Sequence, residues 1–306
     1  MAPSPSPVMP PAGPCSPAPR PTPARPDAQK GPYGPPSDLA AARLSRRSAL
    51  AGGLSLAALG ALQACAPPLA RASLVQFPTP RLANDYYLVR AGETEAEALG
   101  YVDTNPVNKT SMINSLSAEG KRQVVGRALK SMRELGVCTA SSCWFWPSIA
   151  MNAYQTAEIL AAVLGVSRDR IVPEYSFLDA RGLGDFDQLP PREAFTLAHA
   201  NDAASSRQRP PPTTTGTPNE SAEDVMVRVR QMLSVTETQY SGETVVFVAP
   251  DSDTLSVLQA AMLGMNLEAH PTLAFEPGEV RQAVLSTEGP SMEPVRFECK
   301  RPPNCL

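Results

Sequence analysis

The chain is poor in histidine. His199 and His270 are the only imidazoles among 306 residues. A multi-histidine metal site is therefore excluded, and any mechanism that needs two histidines must use both of these. Charge of one sign is also lacking: 27 Lys and Arg stand against 30 Asp and Glu, a net −3, so no nucleic-acid partner is expected. Long apolar runs are missing too. Ala49–Leu62 is 14 residues long and contains glycine, short of the ~20 that span a bilayer. Proline is present in excess but unevenly, with 14 of 34 in the first 40 residues. That stretch cannot be packed core, because proline removes backbone donors and fixes φ.

The first 72 residues read as an address. Residues 1–44 are rich in Pro, Ala and Ser and poor in acids, the composition of a disordered, transit-like segment. Residues 45–72 follow as a signal of the twin-arginine type. Arg46 and Arg47 precede the apolar run, and Ala70 and Ala72 supply the small residues before a cleavage site. The combination resembles the bipartite presequence of an algal or plant thylakoid-lumen protein. The alternatives are a bacterial periplasmic or lipoprotein signal, with Leu62-Gln63-Ala64-Cys65 as a weak lipobox, and an uncleaved buried or anchoring helix. Cleavage after Ala72 leaves 234 residues. It removes seven basic and two acidic residues, so 20 basic and 28 acidic remain, a net −8. Such a domain disfavours anionic partners through its overall field, and no stable membrane span is expected in it.

The rest alternates strand and helix patterns. Asp85–Arg90 reads as a strand and Ser117–Leu135 as a helix stopped at Gly136. Cys138–Trp146 reads as a strand, Ile149–Leu164 as a helix and Ile171–Leu178 as extended. Ser221–Glu237 is a helix with an acidic start, Thr244–Val248 a buried strand and Thr254–Leu263 a helix. Leu273–Phe275 and Val280–Leu285 read as closing strands. This order predicts one α/β domain over 73–288, a mostly parallel central sheet with helices on both faces. Residues 189–217, with Arg-Pro-Pro-Pro and three consecutive threonines, read as a disordered loop insertion, and 289–306 as a polar tail.

Six segments fall in a familiar order. They are Arg90-Ala91-Gly92-Glu93-Thr94 after the first strand, Leu116-Ser117-Ala118-Glu119-Gly120 entering a helix, and Ser148-Ile149-Ala150-Met151-Asn152-Ala153-Tyr154-Gln155-Thr156-Ala157. Then come Leu178 to Asp187, Asn219-Glu220-Ser221, and Val248-Ala249-Pro250-Asp251 ending a late strand. The chain thereby resembles the histidine phosphatase superfamily, also called phosphoglycerate-mutase-like, from about Asp85 to Leu285. The resemblance implies that fold and phosphoryl chemistry through a phosphohistidine. In the family two arginines and a second histidine hold the phosphate, and a carboxylic acid protonates the leaving oxygen.

Carried over by position, the chemistry is missing. The nucleophile falls on Ala91, the second arginine on Asn152, the acid on Ala180 and the second histidine on Pro250. Arg90, Glu93 and Thr94 remain of the phosphate loop. Gly92 is expected to serve the turn, Glu93 and Thr94 to bond loop amides and cap, and Arg90 to pair with Glu93, Asp251 or Asp253 instead of substrate. His199 is expected on the exposed insertion and His270 at a loop or rim. No catalytic residue, metal or cofactor is expected. The resulting expectation is a non-catalytic protein with a binding or assembly role and an unidentified protein partner in the lumen. The alternative is an active phosphomonoesterase of the same family with altered catalytic residues.

Cys138, Cys143, Cys299 and Cys305 remain after cleavage. Four thiols allow three pairings, among them a small tail loop closed by Cys299 and Cys305. Cys138 and Cys143 read equally as buried thiols, and a redox-sensitive module is a third class of role. Trp144, Phe145 and Trp146 read as core, with a partner-binding patch as the alternative.

Overall fold

The computed structural model describes residues 77, 82–138, 143–284 and 296–298, all within the compact unit Pro68–Leu306. Arg46, Arg47, Ala70, Ala72, Cys299 and Cys305 lie outside the described residues. Five strands form one sheet in the order β2-β3-β1-β4-β5: β1 (Asp85–Arg90), β2 (Cys143–Pro147), β3 (Thr244–Ala249), β4 (Val280–Val284) and β5 (Arg296–Glu298). The β2, β3 and β1 strands run parallel, whereas β4 and β5 add antiparallel. The α/β expectation holds. β5 falls where a polar tail was expected: a short edge strand leaves little apolar pattern to read, and the sheet hydrogen bonds define it. Leu273 belongs to a 3-10 segment, Leu267–Leu273, and does not open a closing strand.

Side chains alternate across the sheet, as strand geometry requires. Tyr87 and Val89 of β1 enter a core with Val246, Val248, Phe145, α4 (Met151–Leu164) and a long helical run, whereas Tyr86 and Leu88 enter a second core on the opposite face with Phe247, α6 (Ala222–Gln239) and α7 (Ser252–Leu263). The long run is α2 (Ala118–Gln123), a π-helical stretch Val124–Ala128 and α3 (Leu129–Glu134). Val124, Ala128, Leu129 and Met132 are buried as their spacing predicts, whereas Val125, expected on the same stripe, is exposed. Small residues Ala153, Ala157 and Ala161 let α4 lie close to the sheet, and Gly165 at φ 73° ends it. Ser221 and Asp224 make the reciprocal capping box that starts α6.

The expected disordered insertion is in part a helix. α5 (Pro191–Ala204) begins on proline at its first turn and buries Ala194, Ala198 and Asp202. Its apolar face is mostly alanine, which gives weak contrast against polar neighbours and hides the period. The following segment is also anchored: Arg207 pairs with Glu223 at 2.7 Å and Arg209 with Asp224 at 2.7 Å.

The aromatic run divides by alternation. Phe145 faces the first core, while Trp144 and Trp146 pack on Tyr240 at 5.0 and 6.1 Å between ring centroids. Cys138 and Cys143, the first residue of β2, form a disulfide. No helix among the described residues is long and apolar enough to cross a membrane.

Candidate functional site

The three parallel strands end on one side of the sheet, and the segments after Arg90, Pro147 and Ala249 meet there. A short helix, α1 (Glu95–Ala98), follows the first of these. A cavity of about 160 Å3 opens among them, with Asn152, Ala180 and Pro250 on its wall. Ala91 is buried behind it and donates its backbone N–H to the Ala249 carbonyl at 2.9 Å. The side-chain amide of Asn152, itself buried, donates to the carbonyls of Gly92 at 3.3 Å and Pro250 at 3.2 Å. One neutral side chain thus joins the two strand-end loops.

Arg90 is turned to structural duty, though not with the partners expected. Its Nη1 donates to the Phe275 carbonyl at 2.6 Å and its Nη2 lies 3.6 Å from Glu97. Glu93, Asp251 and Asp253 are each engaged elsewhere. Glu93 accepts from the Ser117 hydroxyl at 2.7 Å. Thr94 caps α1 in a reciprocal box with Glu97. The role expected of Gly92 as a turn residue is corrected: a Cβ there would collide with the carbonyl of Gly120, so glycine permits a close crossing of two backbones.

Five carboxylates and two bases line the cavity. Lys109 Nζ donates to Asp179 at 2.7 Å and the Tyr175 carbonyl at 2.6 Å. Arg228 forks onto Glu220 at 3.0 and 3.1 Å and donates to the Phe177 carbonyl. Neither base is left as a phosphate clamp. Asp251 caps α7 by accepting from Thr254 N–H at 3.0 Å and also accepts from Arg181 N–H at 2.7 Å. Burial, then the neighbouring Asp253 charge, push its carboxyl above the usual carboxylate range.

Behind the cavity lies a buried ionic network whose arrangement the sequence did not announce. Arg181 forks onto Asp202 at 2.6 and 2.7 Å and also donates to Asp253 at 3.0 Å. His199 Nε2 lies 2.9 Å from Asp253, and His270 contacts Asp202 at 3.1 Å and Ser256 at 2.8 Å. Both histidine expectations are therefore corrected. His199 sits on α5 with its side chain 26% exposed, and His270 is fully buried. Their rings meet edge to face at 5.5 Å. Two of the elements carrying them, α5 and the 3-10 segment, are too polar or too short to be placed by periodicity. The signal available was Asp253, an acid opening an otherwise uncharged helix.

Two chemistries suggested by this network fail on its geometry. Ser256, His270 and Asp202 follow the order nucleophile, base, carboxylate, but Ser256 is completely buried and no substrate can reach it. His199, Asp253 and His270 offer ligand atoms within 4.8 Å of one another. Each is already hydrogen-bonded, and a divalent ion on Asp253 would face the Arg181 guanidinium that shares that carboxylate.

The model of the histidine phosphatase superfamily (branch 1) matches residues 86–297. The chain belongs to that superfamily. Solved structures agree at the level of fold. A mycobacterial glucosyl-3-phosphoglycerate phosphatase superposes with a TM-score of 0.52 at 19% identity, over 71% of this chain and 98% of that one. A protein described as mycobacterial hydrolase 1 gives 0.51 at 20%, over 71% and 97%. No curated protein matches the sequence. Ala91, Asn152, Ala180 and Pro250 occupy the four positions that the resemblance assigns to catalysis.

Proposed function

We propose that this chain is a non-catalytic member of the superfamily with a binding or assembly role. The observation that carries the reading is the Asn152 amide bonded to Gly92 and Pro250 at the wall of a cavity whose lining holds five carboxylates and two engaged bases. A phosphohistidine route needs an attacking imidazole and cationic donors around the transferred group. Alanine at 91 has no lone pair to attack with, and proline at 250 offers no side-chain donor. A carboxylate ~4 Å from a phosphate oxygen costs about 4 kcal/mol at an effective dielectric of 20. That cancels the ~3–4 kcal/mol supplied by one good oxyanion donor.

The proposal extends to a role in the thylakoid lumen with a protein partner there, on the presequence-like pattern of the first 72 residues. Arg46, Arg47, Ala70 and Ala72 support this part of the reading.

The test is turnover of a general aryl phosphate and of phosphoserine by the purified full chain. The expected result is a rate no greater than that of a boiled control. Turnover above background that persists in the His199→Gln/His270→Gln double variant would overturn the reading and require another nucleophile. Imaging of the chain fused at its C-terminus to a fluorescent protein tests the compartment: signal confined to the cytosol would overturn the lumen assignment.

A further inference from the structure

The cavity differs from a phosphate pocket in sign, in hydrogen-bonding character and in the nature of its walls. Resting on the non-catalytic reading above, we propose that it receives the ammonium head of an aliphatic amine, carried either by a small molecule or by a lysine side chain.

Charge is the first argument. Glu97, Asp103, Asp179, Glu220 and Asp251 face Lys109 and Arg228, an excess of three acidic over basic residues in the lining. The bases are held by Asp179 and Glu220, whereas Glu97 keeps acceptor capacity. Its Oε2 takes the Thr94 N–H at 2.8 Å, while among the described residues its Oε1 is met only by the Arg90 guanidinium at 3.6 Å. A carboxylate oxygen has two lone-pair positions and accepts further donors.

The second argument is independent of the acids. Asn114 lines the cavity yet is only 5% exposed. Its Nδ2 donates to the Asn108 carbonyl at 3.0 Å, while no protein donor reaches its Oδ1 among the described residues. A buried amide oxygen without a donor is costly unless something donates to it. Ammonium has three donors and no acceptor, which matches a lining left with free acceptors.

The third argument is the wall. Val102, Pro106, Phe195, Pro218, Ala180 and Pro250 give an apolar surface suited to a hydrocarbon stem. The volume, about 160 Å3, is below the roughly 300–1,000 Å3 of pockets for drug-sized ligands. It fits a head group or one side chain.

Calorimetric titration of the full chain at matched ionic strength tests this, with n-butylammonium, N-acetyl-lysine methylamide and n-butyl phosphate as probes. Saturable 1:1 binding of an ammonium probe is expected. Glu97→Gln and Asp103→Asn are each expected to weaken it roughly fivefold, the scale of one partly exposed charge contact. The two variants lie on separate segments, so loss of folding in one leaves the other informative. Tighter binding of the lysine derivative supports a protein side chain as the source, and tighter binding of butylammonium a small amine. Absence of ammonium binding, or binding unchanged in both variants, overturns the proposal and leaves the non-catalytic reading intact. Preferential binding of butyl phosphate without turnover also overturns the proposal alone, while its hydrolysis overturns both.

Discussion

The side-chain amide of Asn152 donates to the carbonyl of Pro250 across 3.2 Å, and the same nitrogen reaches Gly92. At two positions that the family resemblance assigns to phosphate-holding side chains, this chain has a neutral tie between loops. Truncation shows what the tie is worth. Asn152→Ala leaves two carbonyls without that donor and is expected to cost about 1–3 kcal/mol in chemical denaturation. Asn152→Arg restores a charge but no nucleophile, so phosphomonoester turnover is expected to stay at background; a measurable gain would show that another group attacks.

Arg181 holds the carboxylates of Asp202 and Asp253 with no exposure of its own side chain. Arg181→Met removes one cation from between two buried anions. Breaking such a set from one side costs roughly 3–5 kcal/mol, seen as a lowered urea midpoint. The triple variant Arg181→Met/Asp202→Asn/Asp253→Asn is expected to recover a substantial part of that loss, because the uncompensated charges are gone.

Stability is expected to depend on pH through His199. Burial alone would lower its pKa, but the Asp253 carboxylate beside it overcomes this and the net shift is upward from 6.5. A raised histidine pKa contributes stability fully present below pH 6.5 and lost as pH rises through the higher folded value. Thermal unfolding should therefore occur at a lower temperature at pH 8 than at pH 6. His199→Gln should reduce that difference. Asp202 opposes burial through His270 and Arg181, and its lowered pKa adds the acid limb: its contribution is lost as pH falls below the ordinary carboxylate range.

The disulfide between Cys138 and Cys143 closes a short loop, with a sequence separation of 5. Loop-closure entropy for so few residues gives about 2 kcal/mol. Cys138→Ser/Cys143→Ser should lower stability by that order, and reductant should reproduce the loss in the parent chain without adding to it in the variant.

Much of the architecture was legible because it is written in local periodicity. β1 occupies the expected Asp85–Arg90, and α4 and α6 lie on their apolar stripes with a glycine stop and a capping box at the predicted ends. The residue types at Ala91, Asn152, Ala180 and Pro250 were equally plain, since residue type alone decides whether an imidazole or guanidinium is present. α5 was missed because its buried face is mostly alanine, and β5 because three residues carry no usable period.

The partnerships among charged groups were decided only in three dimensions. By itself the sequence determined the α/β order, the two-histidine limit and the residue types at Ala91, Asn152, Ala180 and Pro250. Tertiary structure decided that Arg90 turns to Phe275, that Arg181 gathers Asp202 and Asp253, and that both histidines complete that network. The physical reason is that propensity and hydrophobic period act over neighbouring residues. An ion pair forms between groups such as Arg181 and Asp253, 72 positions apart, once packing has removed the water that would otherwise solvate each alone.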